Sequence, residues 1–183
     1  SFEWVKPIFG DGSITMADVT TDQSGNIYTM GEFTVAADFD PGLDSAHLEV
    51  TGSIDVFIQK LDTAGEYLWT TQLGGPSTPY NISKSIVIDQ FDNIYSTGGF
   101  RGTVDFDPGA GSHFLSSFGN NDVFVSKIDA LGNHIWAKNM GGTGNDYGKG
   151  IVTDLNENVF TTGNFQGTAD FEPGTEITNL TSA

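Results

Sequence analysis

Three evenly spaced pairs of acids carry the clearest potential for chemistry: Asp38 with Asp40, Asp105 with Asp107, and Asp170 with Glu172. Each pair lies in the segment Asp-Phe-Asp-Pro-Gly or, in the last case, Asp-Phe-Glu-Pro-Gly. Residues i and i+2 of an extended chain project to one face, with their backbones about 7 Å apart. Pro fixes φ, keeps the preceding acid extended and, followed by Gly, favours a type II turn, so the three pairs should be presented alike. Two chemistries suit them. Ca2+ takes roughly six to eight oxygens, with carbonyls and water filling the positions the acids leave open, which makes Asp38, Asp40, Asp105, Asp107, Asp170 and Glu172 candidate calcium ligands. The other is structural, with each acid capping backbone N–H groups in a turn. At ~7 Å two unit charges repel by only about 0.6 kcal/mol in water, so an exposed pair persists without metal.

Paired acids also invite a glycosidase reading, in which two carboxylates stand about 5–10 Å apart around a sugar. A catalytic centre needs one asymmetric constellation with separated pKa values, whereas these acids recur with the chain's own period. His47, His113 and His134 have no Gly-x-Ser-x-Gly elbow to serve, and no phosphate loop or dinucleotide fingerprint is present. With no Cys, disulfides, thiolate metal sites and Cys nucleophiles are excluded. Asn81-Ile82-Ser83 and Asn179-Leu180-Thr181 fit the N-glycosylation pattern, which short sequences meet by chance.

The period is set by more than the acids. Trp4, Trp69 and Trp136 step by 65 and then 67 residues, and Asn26, Asn93 and Asn158 by 67 and then 65. Gly31, Gly98 and Gly163 keep the rule, as do Phe33, Phe100 and Phe165, while Asp55 pairs with Asp122 and Asp62 with Asp129. Lys60 matches Lys127, Lys84 matches Lys149 and Lys6 matches Lys138, so the lysines occupy repeating slots, pairing with local carboxylates or lying over apolar surface. Such a period signals an architecture in which no unit buries its apolar face alone.

Within the middle copy, Ser85–Asp89 reads as a strand covered on both faces, and Asp89-Gln90-Phe91-Asp92-Asn93 as a tight turn set by its Asp and Asn. Ile94–Phe100 is a second strand whose interior Gly98 implies a bulge or a close backbone approach. A polar insert holds the Asp-Phe-Asp-Pro-Gly segment. Asp122–Asp129 and His134–Lys138 follow as third and fourth strands, closed by Gly141-Gly142. The chain is therefore expected to be all-β, a β-propeller-type array of four-stranded antiparallel blades with a period of about 66 residues.

A Trp strand ending in Gly-Gly, then Ile-x-x-Asp, Gly-Asn-Ile-Tyr-x-x-Gly-x-Phe, Asp-Phe-Asp-Pro-Gly and Asp-Val-Phe-x-x-Lys-x-Asp resembles the bacterial β-propeller repeat known as the SBBP repeat. The resemblance covers essentially the whole chain. It implies exported proteins, typical of Bacteroidota and often sent to the cell surface by type IX secretion, in which propeller repeats sit beside adhesive modules. Asp92 and Glu157 depart from the pattern that Gly25 keeps, and Glu172 departs from it where Asp40 and Asp107 keep it.

Aligned on the period, residues 1–10 form the last strand of a preceding blade, 11–75 a first repeat, 76–142 a second and 143–183 part of a third. That is about 2.75 blades of an incomplete ring, expected to be one segment of a longer propeller whose open ends are covered by neighbouring blades or other copies. The formal charge of −17, from 24 acids against 7 bases, opposes binding to nucleic acid and anionic membrane surfaces, and no apolar run approaches the roughly 18 residues of a membrane span. The reading is a non-enzymatic, extracellular or cell-surface segment with a structural or adhesive role toward a protein or glycan, in which calcium is the one candidate cofactor. Its alternatives are the propeller domain of a secreted polysaccharide hydrolase or lyase, and a filament-forming repeat protein.

Overall fold

A computed structural model describes residues 3–75 and 80–182. Ser1, Phe2, residues 76–79 and Ala183 lie outside the described residues, and with them the expected start of the second repeat at 76. All regular structure among the described residues is strand: β1 (Phe9–Gly10), β2 (Ile14–Thr21), β3 (Ile27–Phe33), β4 (Ala37–Asp38), β5 (His47–Leu48), β6 (Asp55–Leu61), β7 (Tyr67–Leu73), β8 (Tyr80–Ile88), β9 (Ile94–Arg101), β10 (Thr103–Asp105), β11 (Phe114–Ser116), β12 (Asp122–Ile128), β13 (His134–Gly142), β14 (Tyr147–Thr153), β15 (Val159–Asn164), β16 (Thr168–Asp170) and β17 (Asn179–Thr181).

The strands pair antiparallel in the order β2-β3-β6-β7 and again β8-β9-β12-β13, with β14-β15 repeating the first hairpin. The second and third expected strands of the middle copy match β9 and β12 closely. The first and fourth run longer, because polar Asn81 and Ser83 alternate with Ile82 at the start of β8 and because β13 continues to Gly142. Of residues 1–10, expected as a fourth strand, only Phe9–Gly10 has strand structure among the described residues. The sheets stack face to face, β8 on β2 and β3, and β14 on β8 and β9. One core therefore joins Tyr28, Met30, Val56, Ile58 and Leu73 of the first unit to Ile86, Ile94, Phe100, Phe106 and Phe124 of the second. Burying apolar area between sheets rather than within one is what a repeat of this length requires.

Gly98 shows why the second strand needs glycine. A Cβ there would overlap the Ile82 carbonyl of the paired strand and lie 2.9 Å from Phe124 Cε1. The close approach coincides with a register shift between Ser83 and Ser85. Shifts also fall between Met16 and Asp18 and between Gly148 and Gly150.

The tryptophans occupy like surroundings. Trp69 meets Tyr28 edge-on at 6.0 Å and Trp136 meets Tyr95 at 6.1 Å. Trp4 lies against Gly65 as Trp69 lies against Gly132, each glycine being the left-handed residue of the next unit's second turn, at φ 77° and 85°.

Candidate functional site

The Asp-Phe-Asp-Pro-Gly segments begin hairpins that tie successive units together. In the second unit β10 pairs with β11, and Asp105 also bridges to Gly74 at the end of the first unit's last strand, its N–H donating to the Gly74 carbonyl at 2.8 Å. The same register recurs as Phe9 opposite Asp38 and Gly141 opposite Asp170. The Gly-Gly that closes each strand follows from this packing. A Cβ on Gly74 or Gly141 would strike the Asp55 or Asp122 carboxyl group, and one on Gly75 or Gly142 would strike the Thr103 or Thr168 carbonyl of the docking hairpin.

Within the hairpins the first acid accepts two backbone N–H bonds. Asp38 Oδ1 takes them from Asp40 and Ala46 at 3.1 and 2.8 Å, Asp105 Oδ1 from Asp107 and His113 at 3.0 and 2.8 Å, and Asp170 Oδ1 from Glu172 and Thr178 at 3.0 and 2.8 Å. The second acid reaches across the proline, Asp40 Oδ1 to the Gly42 N–H at 2.7 Å and Asp107 Oδ1 to Gly109 at 2.8 Å. The Phe between the acids, Phe39 or Phe106, is buried and stacks edge-on against Phe33 or Phe100.

One expectation is corrected here. A type II turn requires positive φ at its glycine, and Gly42, Gly109 and Gly174 are not in that region. The acid's bond to the N–H two residues on turns the chain instead. The Ala46 and Asp40 N–H groups hold the Asp38 carboxyl below its ordinary range. Among the described residues no three or more His, Asp or Glu side chains gather in a metal-holding group, and a calcium ion at the pairs would compete with these N–H bonds.

A second set of acids holds the strand turns. Asp22 Oδ1 accepts the Ser24 and Asn26 N–H groups, while its Oδ2 accepts Asn26 Nδ2 at 2.7 Å and the Tyr28 hydroxyl at 3.2 Å. Asp89 repeats the pattern with Phe91, Asn93 and Tyr95, and Asp154 with Asn156 and Asn158. Lys60 Nζ stands 3.7 Å from Asp22 and 4.8 Å from the Tyr28 ring centre, and Lys127 stands 4.0 Å from Asp89 and 4.8 Å from that of Tyr95. These lysines thus fill the structural slots their spacing implies. Burial opposes the charge on Lys127, but the bond to Glu157 at 2.8 Å and the neighbouring Tyr95 hydroxyl together outweigh it and hold the ammonium pKa above the ordinary value.

A third set is buried. Asp55 and Asp122 are fully enclosed, and in both Oδ1 lacks a hydrogen-bond partner. Asp122 Oδ2 accepts the Phe118 N–H and Asn139 Nδ2, both at 3.1 Å. Its Oδ1 and Asp146 Oδ2 lie 2.6 and 3.0 Å from the point where Gly141 would carry a Cβ, so the two carboxylates face each other across the seam between the second and third units. Burial first, and the Asp146 charge last, push the Asp122 carboxyl up to about 6. Asp146 is only 1% exposed, so no substrate reaches the pair. The residue matching Asp146 at the first seam is Asn81, at 2% exposure too enclosed to carry a glycan.

The recurrence of Asp55 and Asp122 at the head of apolar strands was the available signal for this set; nothing in the sequence marks Asp146. Nor does it bring His113 and His134 together. Their rings stack at 4.6 Å, with His113 Nε2 3.1 Å from the Ala137 carbonyl and His134 Nδ1 3.0 Å from that of Phe106.

Comparison with known proteins agrees with this geometry. The family model described as Beta-propeller repeat (SBBP) matches residues 68–98 and 135–171, each match running from the last strand of one unit into the next. The chain is also similar, at 27% identity over 126 residues, to an uncharacterized WD repeat-containing protein of Acanthamoeba polyphaga mimivirus. The aligned part is 67% of this chain and 9% of that relative. The two matched stretches are thus similar to the SBBP β-propeller repeat, in an all-β chain of antiparallel sheets.

Proposed function

We propose that this chain is a non-enzymatic segment of an exported or cell-surface β-propeller, with a structural or adhesive role in which its hairpins and turns contact a protein or glycan. One observation carries the reading: the first acid of each hairpin, Asp38, Asp105 or Asp170, makes the same two backbone bonds in all three copies, with near-identical lengths. A side chain that satisfies the fold identically three times is doing structural work, whereas a catalytic centre would set one copy apart. The surface acidity behind the net charge of −17 favours solubility outside the cell and opposes nucleic acid as partner. Calcium is the competing occupant of the hairpin acids. Among the described residues no helix is long and apolar enough to cross a membrane.

The test is a glycan and protein binding screen run alongside a polysaccharide turnover assay on the same preparation. Saturable binding without turnover is expected. Turnover abolished by changing a single acid would replace this reading with the hydrolase or lyase alternative.

A further inference from the structure

What recurs in every unit serves the fold, whereas the pair of His113 and His134 occurs once. The first unit has Ala46 in the place of His113, the N–H of each bonding the first hairpin acid, Asp38 or Asp105. It has Tyr67 in the place of His134, opposite Leu61 as His134 is opposite Ile128. In the third hairpin Thr178 stands where His113 does. A scaffold of like units gains a site by departing from its own repeat in one of them.

One nitrogen of each ring has structural work and the other has none. A carbonyl oxygen only accepts, so His113 carries a proton on Nε2, toward Ala137, and His134 carries one on Nδ1, toward Phe106. In the neutral rings this leaves lone pairs on His113 Nδ1 and His134 Nε2. The backbone does not itself call for an imidazole. In the first unit Gln59 Nε2 donates to the Phe39 carbonyl. Its counterpart in the second unit, Ser126, bonds Ser96 instead, and His134 takes over the matching Phe106 carbonyl.

An imidazole with one N–H fixed on a backbone carbonyl and the other nitrogen bare is arranged as metal-ligating histidines are. Both rings are half-buried, so an ion reaches them, and the net charge of −17 concentrates cations at the surface. Ring separation selects the metal. With a metal–nitrogen bond of about 2 Å, a ring centre stands about 3.1 Å from its ion. Two centres 4.6 Å apart then subtend about 95° at a shared ion, close to a tetragonal site and short of the tetrahedral angle that Zn2+ takes.

We propose that His113 Nδ1 and His134 Nε2 ligate one divalent transition-metal ion, Cu2+ in preference to Zn2+, with water in the remaining positions. Imidazole suits Cu2+, which also binds such ligands more tightly than its divalent neighbours. The ion ties the second unit's hairpin to β13, since His113 belongs to the one and His134 to the other. The site is separate from the hairpin carboxylates and from the extracellular role.

The test titrates the chelator-stripped 183-residue chain with Cu2+, followed by visible absorption and electron paramagnetic resonance. One saturable equivalent is expected, with hyperfine splitting from two imidazole nitrogens. His113→Gln and His134→Gln each keep an N–H donor for the carbonyl and remove the bare ring nitrogen. Metal-free Tm should therefore stay close to wild type, while Cu2+ affinity falls by more than about tenfold. His47→Gln, at the third histidine, should leave binding unchanged. No saturable binding would overturn the proposal, as would undiminished binding by either of the first two variants. So would a single-nitrogen signal, or Zn2+ displacing an equimolar amount of Cu2+.

Discussion

Asp92 and Glu157 hold positive φ, both at 61°, in the turn position that Gly25 occupies at 82°. A side chain in this region costs about 1–2 kcal/mol, least for Asp and Asn, while glycine returns part of the gain through the entropy of the unfolded chain. Asp92→Gly is therefore expected to stabilise the protein by about 0.5–1 kcal/mol, read as a rise of about 1–4 °C in Tm. The bonds that set the turn come from Asp89 and Asn93 and remain. Glu157→Gly should gain less, because it also removes the bond to Lys127. An unchanged or lower Tm for Asp92→Gly would mean that the Asp92 side chain makes a compensating contact. The departure from glycine at these sites was legible in the sequence; its sign as strain needed the dihedral angle.

At the scale of elements, the central strands were legible because Val, Phe and Ile cluster in short runs bounded by Asp, Asn and Gly. The insert hairpins were not. Thr103–Asp105 and Phe114–Ser116 are three residues each, too short for a period to register, and the first is also held by a bridge from Asp105 to Gly74 of the preceding unit. The Asp-Phe-Asp-Pro-Gly segment was thus recognisable as a repeated motif, while its work of joining units was hidden in a pairing between distant residues. Asp105→Ala tests that work. It leaves the N–H groups of Asp107 and His113 without their acceptor, with an expected loss of about 2 kcal/mol in urea unfolding. Calorimetric titration with Ca2+ should show no saturable heat and no change in Tm. Binding with a raised Tm that Asp105→Ala abolishes would return the hairpin acids to a calcium site.

Across the whole molecule two groups of acids pull the stability profile in opposite directions. Hydrogen-bonded carboxyls such as Asp22, Asp38 and Asp89 lie below their ordinary value of 3.8. Their contribution is present above that pH and is lost as pH falls through their folded values. Asp122 behaves oppositely. With its folded value raised to about 6 against 3.8, the folded state binds more protons between those limits, so stability falls as pH rises from about 4 to about 6 and then levels. Self-repulsion under a net charge of −17 has the same sign, so the wild-type profile alone cannot separate the two. Asp122→Asn does, since it keeps an oxygen for the Phe118 N–H and Asn139 Nδ2 and presents an amide toward Asp146, as the first seam sets Asn81 in the place of Asp146. The variant should gain on the order of 2–3 kcal/mol over wild type at pH 7, and that advantage should vanish near pH 4, where Asp122 is protonated. Urea unfolding of both proteins at the two pH values measures the difference directly. A difference independent of pH would show that the buried carboxyl does not carry the charge across the seam.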